Sequence, residues 1–261
     1  MRVFALLSGL VVTAILPANS LPKEWLLVQE EDTFRKMYVR VSEQAARVEV
    51  PSMGFVILAK APDWTVHIFR NDDKLEWKGA MEDFTGGQLA NPYVDPSAKK
   101  REPAPPPANV ENKDICGLPG KLYRTKFASY ACADEIKVDA KIVRLFNRLH
   151  STPLLPSVPL TISSIRRQVS AKRQDGKDPN WIRSDYMNDL RTGEVIILNT
   201  SKVVKIPYNA KDFEPPKGYK RMRDPIEVSY SSSKKDELND LINNVGFVGK
   251  VDKAQGKAHA H

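Results

Sequence analysis

The stretch Met37-Tyr38-Val39-Arg40-Val41 alternates apolar and polar side chains, and Arg47-Val48-Glu49-Val50 repeats the alternation a few residues later. Alternation with a period of two is typical of β-strands in a sheet with one buried and one solvated face. The polar residues Ser42-Glu43-Gln44 between the two segments favour a short turn. The two alternating segments therefore predict a β-hairpin, and the segments that follow predict further strands of the same sheet.

More strand patterns follow in the region between residues 25 and 77. Residues 55–58 form a continuous apolar run, Trp64-Thr65-Val66-His67-Ile68 alternates, and Leu75-Glu76-Trp77 follows the polar turn Asn71-Asp72-Asp73. We interpret the region as a β-meander of five or six strands.

One face of this meander is apolar. A sheet must cover such a face, either with its own helices or with a ligand. We expect these side chains to line a ligand cavity, with an ordinary hydrophobic core as the alternative. The predicted lining residues are Val39, Val41, Val48, Val50, Val66 and Ile68.

The rest of the chain adds strands and two helices. Strand patterns cover residues 121–126, 130–138, 160–169, 194–198, 202–206 and 226–230. Asp139 is placed to cap a helix whose Ile142, Leu145, Phe146 and Leu149 share one face. The fold class predicted is therefore α+β, with an antiparallel sheet of roughly ten strands. This sheet domain spans residues 21–231, followed by an appended helix over residues 232–248 and a disordered tail over residues 249–261.

The N-terminus has the pattern of an export signal. Arg2 supplies a positive charge, residues 4–16 are apolar, and Ala18-Asn19-Ser20 resembles a cleavage site. The apolar run is short for a membrane-spanning helix, although an uncleaved anchor is the alternative. We therefore expect residues 1–20 to be a signal peptide, and an exported protein, periplasmic or extracellular, that is not integral to a membrane after cleavage.

Charge restricts the partners. The formal net charge is +8 at pH 7, which favours an anionic component of the cell envelope as partner, with a simply solvated surface as the alternative. No nucleic-acid partner is expected, since the basic residues follow no DNA- or RNA-binding motif. Residues 95–110 hold five prolines and the basic triplet Lys99-Lys100-Arg101, and they predict an exposed loop, or alternatively a flap or docking strip.

Cysteine and histidine give few signs of catalysis. Cys116 and Cys132 are the only cysteines, and in an exported chain they predict one disulfide, with two free thiols as the alternative. The four histidines form no zinc-binding spacing, and no nucleophile or phosphate-binding motif is present. We therefore predict no catalytic residue, no metal site and no cofactor, although serine, histidine and acidic side chains from distant segments could still converge.

Several short motifs resemble the superfamily of exported, LolA-like lipoprotein carriers. They are Lys36-Met37-Tyr38-Val39-Arg40 with Arg47-Val48-Glu49-Val50, Ala61-Pro62-Asp63-Trp64-Thr65-Val66, Ile115-Cys116-Gly117-Leu118-Pro119 with Tyr123, Ala131 to Val138 running into the Asp139 helix, and Ile206-Pro207-Tyr208 with Phe213-Glu214-Pro215-Pro216-Lys217-Gly218-Tyr219. The resemblance covers roughly residues 25–230. It implies a strongly curved antiparallel half-barrel whose helices plug the concave face of an apolar cavity. The Pro-rich insertion and the appended helix depart from that pattern.

The function expected from these observations is non-catalytic binding of a lipid or another apolar ligand in the concavity of the sheet. Two other classes remain as alternatives. One is a structural or scaffolding envelope protein that uses its basic surface, and the other is a hydrolase whose site the sequence does not reveal.

Overall fold

The computed structural model describes residues 23–86, 89, 104–166 and 193–230. These residues form one sheet of twelve strands with few helices, so the fold is α+β and mostly β. The strands are β1 (Lys23–Glu31), β2 (Arg35–Val41), β3 (Ala45–Val50), β4 (Phe55–Lys60), β5 (Val66–Arg70), β6 (Leu75–Gly79), β7 (Asn109–Ile115), β8 (Leu118–Arg124), β9 (Ala128–Ala133), β10 (Thr161–Arg166), β11 (Gly193–Pro207) and β12 (Lys220–Arg221).

The sheet is open, and its spatial order is β12-β6-β5-β4-β3-β2-β1-β11-β10-β9-β8-β7. All neighbouring strands are antiparallel except the short β12, which runs parallel to β6. β1 to β6 follow one another in space as they do in sequence, which confirms the predicted meander. Its first predicted hairpin is β2 and β3, closed where the Ser42 amide donates to the carbonyl of Ala45 at 2.9 Å.

β11 joins the two halves of the sheet. Its first part pairs with β10 and its second part with β1. The sequence predicted two strands here, over residues 194–198 and 202–206, but the structure has a single strand of 15 residues. The polar residues between the two apolar runs continue the ladder, since Thr200 pairs with Gln29. The strand pairing shifts in register next to Gln29, and this bulge lies where the sequence pattern suggested that the strand ends.

The loop predicted over residues 95–110 extends too far, because its last two residues belong to a strand. Residues 95–103 lie outside the described residues, but Asn109 and Val110 already belong to β7, where they pair with Arg124 and Tyr123. The exposure of β7 explains the error. Six of its seven residues are exposed, so the sequence has no apolar alternation there that would indicate a strand.

The predicted amphipathic helix is confirmed as α1 (Ala140–His150). The carboxylate of Asp139 caps it by accepting a hydrogen bond from the amide of Lys141 at 2.7 Å. Its apolar face is buried, as expected, and belongs to the same hydrophobic cluster as Val39 and Val48 of the sheet. The apolar side of the helix and the apolar face of the meander therefore belong to one hydrophobic core.

The strand predicted over residues 226–230 is wrong, because residues Pro225–Ser229 form a short helix, α2. Asp224 accepts a hydrogen bond from the amide of Ile226 at 2.9 Å, and Pro225 occupies the first turn. A capping carboxylate followed by proline is a helix start, and it outweighs the β-branched residues that suggested a strand.

The opposite face of the meander is covered by the segment that follows β11. Its short 3₁₀ turn, Ala210–Phe213, inserts the fully buried Phe213 into a small cluster with Val56, Leu58 and Phe69. The chain itself therefore covers part of this opposite face.

Some expectations concern residues outside those described, namely the signal peptide over residues 1–20, the appended helix over residues 232–248 and the tail over residues 249–261. They stay predictions. Within the described part of the chain, no helix combines the length and the apolar character needed to cross a membrane.

Candidate functional site

The six predicted lining residues lie in the main hydrophobic core. Val39, Val41, Val48, Val66 and Ile68 have no exposed surface, and Val50 is 1% exposed. They pack in one cluster with Leu145 and Phe146 of α1. Two clefts in the described part of the chain are lined by other residues, so the role of these six in ligand binding stays a prediction.

The first cleft, which we call the trough, lies at the β7 end of the sheet. It has a volume of about 210 Å³ and is bounded by five adjacent strands, β7 to β11. Its walls are formed by Lys113, Asp114, Ile115, Cys116, Leu122, Arg124, Ser129, Ala131, Thr161, Ser163, Glu194 and Asn199.

The trough exists because this end of the sheet curls. The turn between β7 and β8 carries Cys116, whose thiol donates to the carbonyl of Thr200 on β11 at 3.2 Å. In a flat sheet the three strand spacings from β8 to β11 would separate these groups by about 14 Å. The contact therefore places the turn against β11 and encloses the space between them.

Glu194 and Ser129 form the polar centre of the trough. The hydroxyl of Ser129 donates to the Glu194 carboxylate at 2.7 Å, across strands that are 65 positions apart in sequence. This hydrogen bond, with a further one from Ser163, lowers the pKa of Glu194 below its usual value. Because both serines are 3% exposed, the carboxylate is held by buried donors and stays ionised.

Cationic and apolar side chains complete the walls. Arg124 lies 3.3 Å from Glu111 in a partly exposed ion pair, and Arg124 and Lys113 are near enough to lower the pKa of Glu194 further. Ile115, Leu122 and Ala131 supply apolar surface at the same place. The trough therefore offers two cations, the carboxylates of Asp114 and Glu194, and an apolar wall within one small volume.

The predicted disulfide is absent, since Cys116 and Cys132 are both free. The register explains this, because Cys132 pairs with Lys121, three residues along β8 from Leu118, where the turn containing Cys116 ends. Three residues of strand span roughly 10 Å, beyond the about 7 Å that a disulfide can bridge. Cys132 instead donates to the carbonyl of Ser157 at 3.7 Å, and burial raises its pKa to about 12.

The second cleft, which we call the hairpin cleft, borders the turn between β1 and β2. Its volume is about 320 Å³, and Asn199 lines both this cleft and the trough. It is lined by Glu30, Glu31, Asp32, Arg35, Lys36, Ile196, Ile197 and Asn199.

A buried histidine lies behind the hairpin cleft. The Nδ1 atom of His150 is 3.1 Å from the Glu31 carboxylate, and both side chains are buried, at 1% and 8% exposure. The His150 ring also stacks on Phe146, with 6.1 Å between ring centroids. The helical spacing of Phe146 and His150 could have indicated this stack, but Glu31 is 119 positions away and nothing local in the sequence predicts the pair.

His67, the other histidine in the described part of the chain, lines neither cleft. His67 is half-buried on β5, and burial lowers its pKa. His259 and His261 lie outside the described residues. Within the described ranges, no three histidine, cysteine or acidic side chains are grouped closely enough to hold a metal ion.

Comparison of this chain with known proteins identifies no relative. No known family model matches this chain, and no curated protein matches it either. The resemblance to LolA-like carriers thus depends on the quoted motifs alone.

Proposed function

We propose that this chain is an exported, non-catalytic protein that binds a lipid or another ligand with an apolar part, and that the trough receives the polar end of this ligand. The trough itself carries the proposal, since five adjacent strands contribute cationic and apolar side chains to one cleft. Small-molecule sites in proteins combine an apolar lining with a few convergent polar groups in the same way.

In this proposal the sheet is a LolA-like half-barrel and α1 is the helix that plugs its concave face. The burial of Leu145 and Phe146 in one cluster with Val48 supports such a role for α1. The helix then occupies the space that the apolar face of the meander was expected to offer, and the ligand is received at the β7 end.

The two cations of the trough suit an anionic head group, and the carboxylates of Asp114 and Glu194 balance their charge when the trough is empty. Lys113 and Arg124 are cations that bind phosphate or carboxylate oxygens well, and Arg124 can do so with two parallel hydrogen bonds. The volume of about 210 Å³ is below the roughly 300 Å³ at which drug-sized pockets begin. The trough thus suits a head group, while the apolar part of the ligand extends along Ile115 and Leu122.

The side chains of the trough are better suited to binding a ligand than to hydrolysing one. The hydroxyl of Ser129 donates a hydrogen bond to the Glu194 carboxylate, but a carboxylate whose pKa is lowered is a weak general base. Among the described residues, neither the trough nor the hairpin cleft is lined by a histidine that could take its place. Glu194 is better suited to orienting a ligand than to activating a nucleophile.

The test is lipid recovery from the Arg124→Ala variant. Native mass spectrometry after gentle purification should find an anionic lipid bound to the unchanged chain. Loss of a charged hydrogen bond costs at least about 1.5 kcal/mol, so the variant should retain about tenfold less lipid. Arg124 is 38% exposed, and its removal should leave the fold intact.

Arg144→Ala is the matched control, because Arg144 is 32% exposed on α1 and lies outside the trough. This control should keep its lipid. Equal recovery from both variants, or no lipid on the unchanged chain, would contradict the proposal.

A further inference from the structure

We infer that β7 is a docking edge for a second copy of this chain, and that the β7 strands of the two copies pair antiparallel around Asn112. An open sheet has two edges, and an uncovered edge presents unpaired backbone N–H and C=O groups. Among the strands that the structure describes, the two edges are β7 and β12.

The two edges differ in what they offer. β12 is only two residues long, and both residues, Lys220 and Arg221, are basic. Short and basic edges of this kind are poor templates for another strand. β7 is seven residues long, and six of these residues are exposed. The long edge is therefore the one available for pairing.

The turn after β7 identifies which backbone groups face outward. Cys116 and Gly117 have φ angles of 53° and 78°, as in a two-residue type I′ hairpin loop, so the flanking pair Ile115 and Leu118 exchanges hydrogen bonds. Hydrogen bonding alternates along an antiparallel ladder. Val110, Asn112 and Asp114 therefore direct their N–H and C=O groups away from β8.

This alternation permits a symmetric pair of β7 strands centred on Asn112. With that centre, Asn112 faces its own copy, and Val110 of each chain faces Asp114 of the other. All three of these positions have outward-facing backbone groups, so each facing pair can exchange two hydrogen bonds. An interface that contacts itself in this way has the two-fold symmetry that is commonest among homodimers.

The charges on β7 favour a second copy of this chain as the partner of this edge. In the register centred on Asn112, Glu111 of each chain lies opposite Lys113 of the other. Opposite charges directly across two strands stabilise a sheet, whereas like charges destabilise it. The order of Glu111 and Lys113 around Asn112 thus makes β7 complementary to itself.

The same contact would join the two troughs. Lys113 lines the trough, and Glu111 points to the same side of β7, since residues two apart along a strand share a face. The two ion pairs would then lie on the side of the sheet where both troughs open. A contact limited to one strand from each chain is smaller than the about 1,200 Å² of stable interfaces, so the dimer should depend on protein concentration.

Charge reversal tests the pairing. Sedimentation velocity of the purified full chain should show a shift from monomer to dimer as concentration rises. Lys113→Glu places Glu111 opposite a second acid, and Glu111→Lys places Lys113 opposite a second base, so each variant alone should lose the dimer. An equimolar mixture of the two variants should restore it, because every facing pair is then of opposite charge.

Asn112→Pro is a second variant that acts through the backbone. Proline has no N–H, and at an outward-facing edge position its loss spares the bonds to β8. This variant should melt close to the unchanged chain and be monomeric, while Asn112→Ala should keep the dimer. A chain that stays monomeric at every concentration, or a dimer that survives both Lys113→Glu and Asn112→Pro, would overturn the inference.

Discussion

Glu24 is a buried carboxylate on β1, 3.5 Å from the guanidinium of Arg40. Burial raises its pKa above the usual 4.5, and the weaker influences of the Asn209 backbone and of Arg40 do not cancel this effect. Arg40 is also hydrogen-bonded to Asp212, so the cation keeps a partner if Glu24 becomes neutral. The charge on Glu24 is therefore a cost to the folded state rather than a support.

Glu24→Gln should relieve this cost in a pH-dependent way. A raised native pKa means that the folded chain holds the proton more tightly than the unfolded chain, so stability falls as pH rises above the usual value of 4.5. Below that value Glu24 is protonated in both states and costs nothing. We expect the variant to gain on the order of 1 kcal/mol of unfolding free energy at pH 7 and to show no such gain in acid.

Urea unfolding at a series of pH values measures this difference. Glu49→Gln is the control, since Glu49 is 47% exposed and surface changes alter stability by no more than about 0.5 kcal/mol. A Glu24→Gln variant that is less stable than the unchanged chain at pH 7 would mean that the ionised carboxylate supports the fold.

Individual site residues were predictable only where the strand pattern alone decides their position. Alternation places Val48 and Val66 on the buried face, and both are fully buried. It cannot tell what packs against that face, because Leu145 and Phe146, which belong to the same core, come much later in the chain. The contact of Ser129 with Glu194 needs β9, β10 and β11 to lie side by side, which no local pattern specifies.

Among the elements, those with local start and stop signals were predicted best. The hairpin of β2 and β3 and helix α1 each carry a turn or cap beside a clear periodicity. β11 was divided in two because its polar centre resembles a turn, and only its partners β1 and β10 make it continuous. α2 was missed because the segment was assigned from its apolar residues alone, without the cap at Asp224 and the proline that follows it.

The cap of α1 gives a prediction at this scale. Asp139→Ala removes the side-chain oxygen that accepts from the Lys141 amide, and it should lower the unfolding free energy by about 1 kcal/mol. Asp139→Asn keeps an acceptor and should lose much less. Thermal or urea unfolding distinguishes the two variants, and equal losses from both would show that the carboxylate acts through its charge instead.

At the scale of the whole molecule, one hydrophobic cluster joins both halves of the sheet. It includes Trp25 and Trp77 from the meander, Ile162 and Leu198 from the other half, and Phe146 from α1. β11 gives the same connection through the backbone, since it pairs with both halves. A core that is shared in this way should make the sheet unfold as one cooperative unit.

Phe146→Ala tests this shared core. Phe146 has no exposed surface, and truncating a buried phenylalanine costs about 3–5 kcal/mol. Phe127→Ala is the matched control, because Phe127 is 62% exposed and surface changes stay within about 0.5 kcal/mol. Should Phe146→Ala fail to fold, Phe146→Leu makes the same test with a smaller loss of volume. For each variant, tryptophan fluorescence and far-ultraviolet circular dichroism should give coincident urea transitions, whereas separate transitions would mean that the halves of the sheet unfold independently.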